Sequence, residues 1–175
     1  MNTPRRKHPG DDGTAELLDR SRVSKNDVRM HNVGTIDEVS SLLGLAVALG
    51  APEPVARDIA RVQKLLISAA VPFILPHGAA SAPCVDHSAS WLRQIDAITC
   101  RAERGTPAAH SFILPGGAPS AAALHVARTA SRRLERLVVQ MHEQQRLPLK
   151  LRAVFNRLGT LLFALARQCN HLCRA

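Results

Sequence analysis

The chain has 175 residues, 46% hydrophobic and 21% charged, with a formal net charge of +9. That balance excludes a disordered chain, the length suits one domain with a real core, and no apolar run approaches the roughly 20 residues a membrane-crossing helix needs. The charge asks for an anionic partner: a polyphosphate ligand, a nucleic acid or an anionic membrane. With no tyrosine, four phenylalanines and one tryptophan, the stacking platforms of a single-strand nucleic-acid binder are missing, while duplex binding stays open on charge alone.

The basic start at Met1 runs into His8-Pro-Gly-Asp-Asp12 rather than an apolar signal core. Cys84, Cys100, Cys169 and Cys173 lack disulfide-framework spacing, which suits a reducing cytoplasm. Residues 1–34 show little periodicity and read as an arm, ordered by itself or by a ligand, rather than a helix. Within it, Gly10-Asp-Asp-Gly-Thr14 is a glycine-flanked turn whose amides can form an anion nest, and Arg22-Val-Ser-Lys25 adds cations. The turn lacks the lysine and preceding strand of a P-loop, and alone it reads as a solvated basic turn.

At Thr35 the pattern changes. Thr35-Ile-Asp-Glu38 is a capping-box sequence and predicts the first helix, with Ile36, Val39, Leu42, Leu43, Ala46 and Val47 inward and Gly50 and Pro52 ending it. A second helix is expected from about Pro54, with Ile59, Val62, Leu65, Leu66 and Ala69 inward and Pro72 as its stop. Residues 72–85 read as a loop. A third helix runs from Asp86 to about Arg104, presenting Trp91, Leu92, Ile95 and Ile98, and Gly105 closes it. The apolar run Phe112-Ile-Leu-Pro-Gly-Gly-Ala-Pro119 follows, then two long helices, about Ser120 to Gln145 and Leu149 to Leu172, split by Pro148. No strand and no internal repeat is predicted. The whole is an all-α five-helix bundle: an arm over 1–34, then a single helical domain over 35–175.

Cys169, His171 and Cys173 resemble a metal site only in composition. On a helix, 169 and 173 share a face and 171 points away, so small apolar residues near a helix end are the preferred reading. The fourth helix is more informative. At about 100° per residue, Arg128, Arg132 and Glu135 fall within roughly 60°, with Arg136 beside them. Leu124, Ala127, Leu134, Val138 and Met141 gather on another side as the core stripe. Guanidinium forks suit phosphate oxygens, and Glu135 can hold one fork while others bind ligand; a salt-bridged subunit interface explains the stripe equally well.

In order along the chain, the Gly10–Thr14 turn, Arg22-Val-Ser-Lys-Asn-Asp27, Gly34-Thr-Ile-Asp-Glu38, Phe112-Ile-Leu-Pro-Gly-Gly117, Ala127-Arg-Thr-Ala-Ser-Arg-Arg-Leu-Glu-Arg136 and Asn156-Arg-Leu158 form a series. From about residue 7 to 167 it resembles the PduO-type ATP:cob(I)alamin adenosyltransferases. The resemblance implies a homotrimeric bundle that transfers the 5′-deoxyadenosyl group of ATP to cob(I)alamin, with ATP and magnesium at each subunit boundary. It assigns ATP binding to Lys7, His8, Pro9, Gly10, Asp11, Gly13, Lys25, Arg132, Arg133, Glu135, Arg136 and Asn156. It assigns catalytic roles to Arg128, Arg132 and Glu135, and an intersubunit ion pair to Asp37 and Arg128. Phe112 matches the phenylalanine that covers the lower face of cobalamin. No membrane or nucleic-acid partner is implied; product hand-over to an adenosylcobalamin-dependent enzyme is left open.

Three departures stand out. Pro9 replaces a threonine and lacks an N–H donor. Gly159-Thr160 replaces Ser-Asp after Asn156-Arg-Leu158, removing a carboxylate. The chain also ends at Ala175, without the tail that helps enclose the corrin in longer members. These departures keep two other readings in view: a catalytically weak relative that binds or carries cobalamin, and, on charge alone, a basic helical nucleic-acid-binding protein.

Overall fold

The computed structural model describes residues 8–75, 86–109, 111–145 and 147–174. A hairpin, β1 (Thr14–Glu16) and β2 (Arg22–Ser24), precedes five helices: α1 (Val28–Ala48), α2 (Glu53–Ala70), α3 (Ser88–Arg104), α4 (Pro119–Gln145) and α5 (Leu149–Leu172). A one-turn 3-10 helix, Val71–Phe73, extends α2 past its expected stop.

The core is a single cluster, and α4 lies at its centre, packed against α1 on one side and α5 on the other. Leu124, Ala127, Leu134, Val138 and Met141 are all buried, as the helical spacing requires. Phe155 of α5 meets Phe73 at 6.0 Å between ring centroids, tying the end of α2 to the core. Between α2 and α3, the buried carboxylate of Asp58 accepts from Arg61 at 2.6 Å and Arg101 at 2.8 Å. Both partners keep the buried charge compensated.

Three expectations are corrected. First, α1 begins at Val28, not Thr35, so the boundary between arm and bundle moves forward and residues 28–34 belong to the helix. Asp27 is the cap: its Oδ1 accepts from the Arg29 amide at 2.9 Å, and its carboxylate also holds the buried Arg29 side chain. Thr35 instead sits inside the helix, its hydroxyl donating to the His31 carbonyl at 2.7 Å. Gly34 lies on the exposed side, and its propensity cost of about 1 kcal/mol is outweighed by burial of Asn32, Thr35 and Ile36 beside it.

Second, strands exist. Thr14, Ala15 and Glu16 pair antiparallel with Ser24, Val23 and Arg22; three-residue strands are too short to show alternation. Leu17 is buried, and the Leu18 amide donates to the Ile74 carbonyl at 3.1 Å, docking the hairpin on the end of α2. Third, Val47 faces solvent, since it lies about 100° from the inward Ala46. Leu42 and Leu92 are half-buried against the core. Most of the loop expected over 72–85 lies outside the described residues, as does Cys84.

Asp27→Ala removes a cap and leaves the Arg29 guanidinium buried without its carboxylate. The expected loss is about 3 kcal/mol in urea unfolding, against about 1 kcal/mol for Thr35→Ala.

Candidate functional site

The expected site residues fall into three groups. The first is the glycine turn. Gly10 (φ 91°) and Gly13 (φ 77°) adopt backbone conformations that disfavour side chains. The Gly13 amide donates to the Gly10 carbonyl at 3.1 Å, and the His8 amide donates to Asp11 Oδ2 at 3.2 Å. Lys25 reaches back from the end of β2, its Nζ donating to the Gly10 carbonyl at 2.7 Å. Asp12 accepts from the Thr14 amide and hydroxyl and from Arg22, and these bonds, the backbone one first, hold its carboxyl below the ordinary value. Pro9, Gly10, Thr14, Arg22 and Lys25 line an open cleft of about 490 Å³. Lys7 lies outside the described residues.

The second group is the α4–α5 face. Asn156 Nδ2 donates to Glu135 Oε1 at 3.0 Å, so two sequence blocks far apart in the chain meet side by side. Both line a cleft of about 450 Å³ with Arg152 and Arg157. Arg136 donates to the Arg132 carbonyl at 3.1 Å, and both guanidinium-bearing residues are exposed. Arg133, also exposed, pairs with Glu38 of α1. That role for Glu38 was not legible in the sequence, where the residue served as half of a capping box. Arg128 is half-buried, its Nε enclosed without a partner, and Asp37 is exposed; neither takes part in an ion pair within the chain, among the described residues.

The third group is the segment between α3 and α4. Phe112 is fully exposed, Leu114 nearly so, and Ile113 borders on exposure. Phe112 is thus apolar surface left uncovered by the described residues.

Within one chain, among the described residues, these groups line separate clefts. Among the described residues, no hydrogen bond or ion pair links the Gly10–Lys25 turn to the α4 arginines. Nor is there, among the described residues, a group of three or more His, Cys, Asp or Glu side chains arranged to hold a metal. Cys169 is buried against Ser120 at 3.1 Å, and burial pushes its thiol pKa up, while His171 and Cys173 are exposed. A thiol kept protonated is a poor metal ligand.

Over residues 7–169 the chain matches the family described as cobalamin adenosyltransferase. The protein belongs to that family. The corrinoid adenosyltransferase of Mycobacterium tuberculosis is 38% identical over 175 aligned residues, covering 92% of this chain and 86% of that one. The cobalamin adenosyltransferase of Cupriavidus metallidurans is 36% identical, covering 92% and 85%. Among solved structures, a phenylalanine-to-alanine variant of the PduO-type ATP:corrinoid adenosyltransferase from Lactobacillus reuteri, complexed with cobalamin and ATP, superimposes with a TM-score of 0.86. It is 28% identical, over 95% of this chain and 93% of that one. No helix among the described residues is long and apolar enough to cross a membrane.

His125, one turn before Arg128, is buried at 3% exposure with neither ring nitrogen bonded, and its ring lies 6.2 Å from that of Phe163. Burial, and then the Arg128 charge, lower its pKa, so the folded protein holds it neutral. The unfolded chain takes up a proton more readily, so this contribution to stability is present above about pH 6.5 and lost as the pH falls below it. Thermal unfolding followed from pH 7.5 to 5 should show a falling Tm whose slope is reduced in His125→Leu.

Proposed function

We infer that this protein transfers the 5′-deoxyadenosyl group of ATP to cob(I)alamin, yielding adenosylcobalamin and triphosphate. The observation that carries the reading is the Glu135–Asn156 hydrogen bond, which joins the arginine-rich helix and the Asn156-Arg-Leu block into one polar face. Family membership supplies the reaction class. The chemistry asks little of side chains as acids or bases. Cobalt(I) attacks the 5′ carbon, the C5′–O bond breaks, and its electron pair leaves with the triphosphate. The protein has to hold the carbon in line and stabilise the departing charge.

Arg132 and Arg136, exposed on α4 and free of ion pairs among the described residues, are suited to the triphosphate. Glu135 orients Asn156 beside them. The glycine turn and Lys25 supply amides and a cation on a separate surface. Because one chain keeps that surface apart from the arginines, a site using both is best formed between subunits. A homotrimer with Asp37 of one protomer meeting Arg128 of the next would pair two residues that form no ion pair within the chain among the described residues. Magnesium would enter on the triphosphate, whose oxygens supply the coordination it prefers. Phe112 would cover the lower face of cobalamin and exclude water there.

The decisive assay mixes the protein with magnesium, ATP and chemically reduced cob(I)alamin. Light-sensitive adenosylcobalamin and triphosphate should form together; tight ATP binding without product would favour a cobalamin carrier, and no binding of either would defeat the reading. Arg132→Ala should lower kcat at least a hundredfold, on the scale of removing one transition-state donor, while sedimentation shows the trimer intact.

Thr160 is exposed on α5 where a carboxylate is the family pattern, and this favours the weaker-catalyst reading. A Cβ on the adjacent Gly159 would lie at ordinary contact distance, 3.7 Å, from Arg132 Cγ, so a serine fits. The double change Gly159→Ser, Thr160→Asp should therefore fold normally and raise kcat severalfold, read as the rate of adenosylcobalamin formation.

A further inference from the structure

The Phe112 ring is fully exposed, yet the segment that carries it is held at both ends by the last turns of α5. On the α3 side, the Arg167 guanidinium donates to the Pro107 carbonyl and lies 5.8 Å from the centroid of the Phe163 ring. On the α4 side, one side chain makes two bonds. Asn170 Nδ2 donates to the Gly116 carbonyl at 2.8 Å, and Asn170 Oδ1 accepts from the Ala118 amide at 2.8 Å.

The amide head thus spans Gly117. A Cβ built there would fall 2.0 Å from Asn170 Oδ1, and Gly117 has φ 99°. Glycine is required at that position by both space and backbone conformation. The requirement on Asn170 is as narrow. An uncharged planar amide offers a donor and an acceptor on one rigid head, whereas a carboxylate accepts only and would face the Gly116 carbonyl with like charge.

We propose that Asn170 is a positioning residue for adenosyl transfer: it clamps the Pro115-Gly116-Gly117 turn and so sets the direction in which Phe112 meets the corrin. This rests on the reading of Phe112 as the cover of cobalamin's lower face. An exposed ring gets its direction from its backbone, because no side-chain packing holds it. With the clamp gone, the turn samples more conformations and the ring covers the face for less of the time, which readmits a ligand to cobalt. Asn170 lies about four turns beyond Asn156 on the same helix, so the nucleotide end of the site is not its target.

The test compares Asn170→Ala, the near-isosteric Asn170→Asp, Phe112→Ala and the Phe112→Ala/Asn170→Ala pair. Two quantities are read: the steady-state rate with ATP, and the fraction of bound cob(II)alamin that has lost its lower ligand, from its visible and electron-spin spectra. Asn170→Ala loses both hydrogen bonds, and Asn170→Asp loses the donor and sets a carboxylate against the Gly116 carbonyl. Each should lower kcat about tenfold, leave the KM for ATP unchanged and reduce the lower-ligand-free fraction. In the Phe112→Ala background, Asn170→Ala should have no further effect, because it acts through that ring. Additive losses in the pair would overturn the proposal. So would normal rate and spectrum in the Asn170 variants while Phe112→Ala is impaired, and the Phe112 reading would then survive. If Phe112→Ala itself is normal in both readouts, that reading fails and the proposal with it. Should Asn170→Ala not fold, Asn170→Asp decides.

Discussion

The rotation of α4 about its own axis is the constraint on which the rest of the structure depends. Leu124, Ala127, Leu134, Val138 and Met141 are each at or near complete burial between α1 and α5. Fully burying a leucine or valine contributes about 1.5–3 kcal/mol, so turning the helix to expose this stripe would cost several such terms. With the stripe held inward, the arginines are held outward at known places. The alanines at 121, 123, 127 and 130 are buried too, letting the neighbouring helices approach closely. Gly159 on α5 lies near enough to α4 that a side chain there would touch Arg132 and Ser131.

The positive charge of the chain is divided rather than spread. Arg22 is bound to Asp12, Arg29 to Asp27, Arg133 to Glu38 and Arg157 to Asp96. These cations maintain the turn, the α1 cap and the helix contacts. Apart from the buried Arg29–Asp27 pair, the exposed ones contribute little to stability, but all of them fix where guanidinium groups point. Among the described residues, Arg132 and Arg136 are left outside any ion pair, and this selective neutralisation is what the proposed triphosphate role of α4 draws on.

Much of the bundle was legible beforehand because helical periodicity is a local property. The bounds of α5 and the core face of α4 follow from apolar spacing and from Pro148. The start of α1 was not, because two caps compete within eight residues. Thr35-Ile-Asp-Glu38 has the better motif, but Asp27 has Arg29 to hold and the burial of Asn32 against Leu137 and Met141 of α4 to extend the helix. Only tertiary packing decides between them. The hairpin escaped notice because its short strands are stabilised by docking on Ile74, a contact remote in sequence.

By itself, then, the sequence determined the helical class, most of the inward faces, the arginine stripe and the loop character of Phe112-Ile-Leu-Pro-Gly-Gly117, since each depends on residue spacing or on the chemistry of adjacent residues; that Phe112 is exposed came from the structure. The tertiary structure alone decided which arginine is spent on Glu38, that Glu135 holds Asn156, and that Asn170 closes over Gly117. These are pairings between distant segments. Their partners are chosen by how α1, α4 and α5 rotate to bury their apolar faces, and no local pattern records that choice.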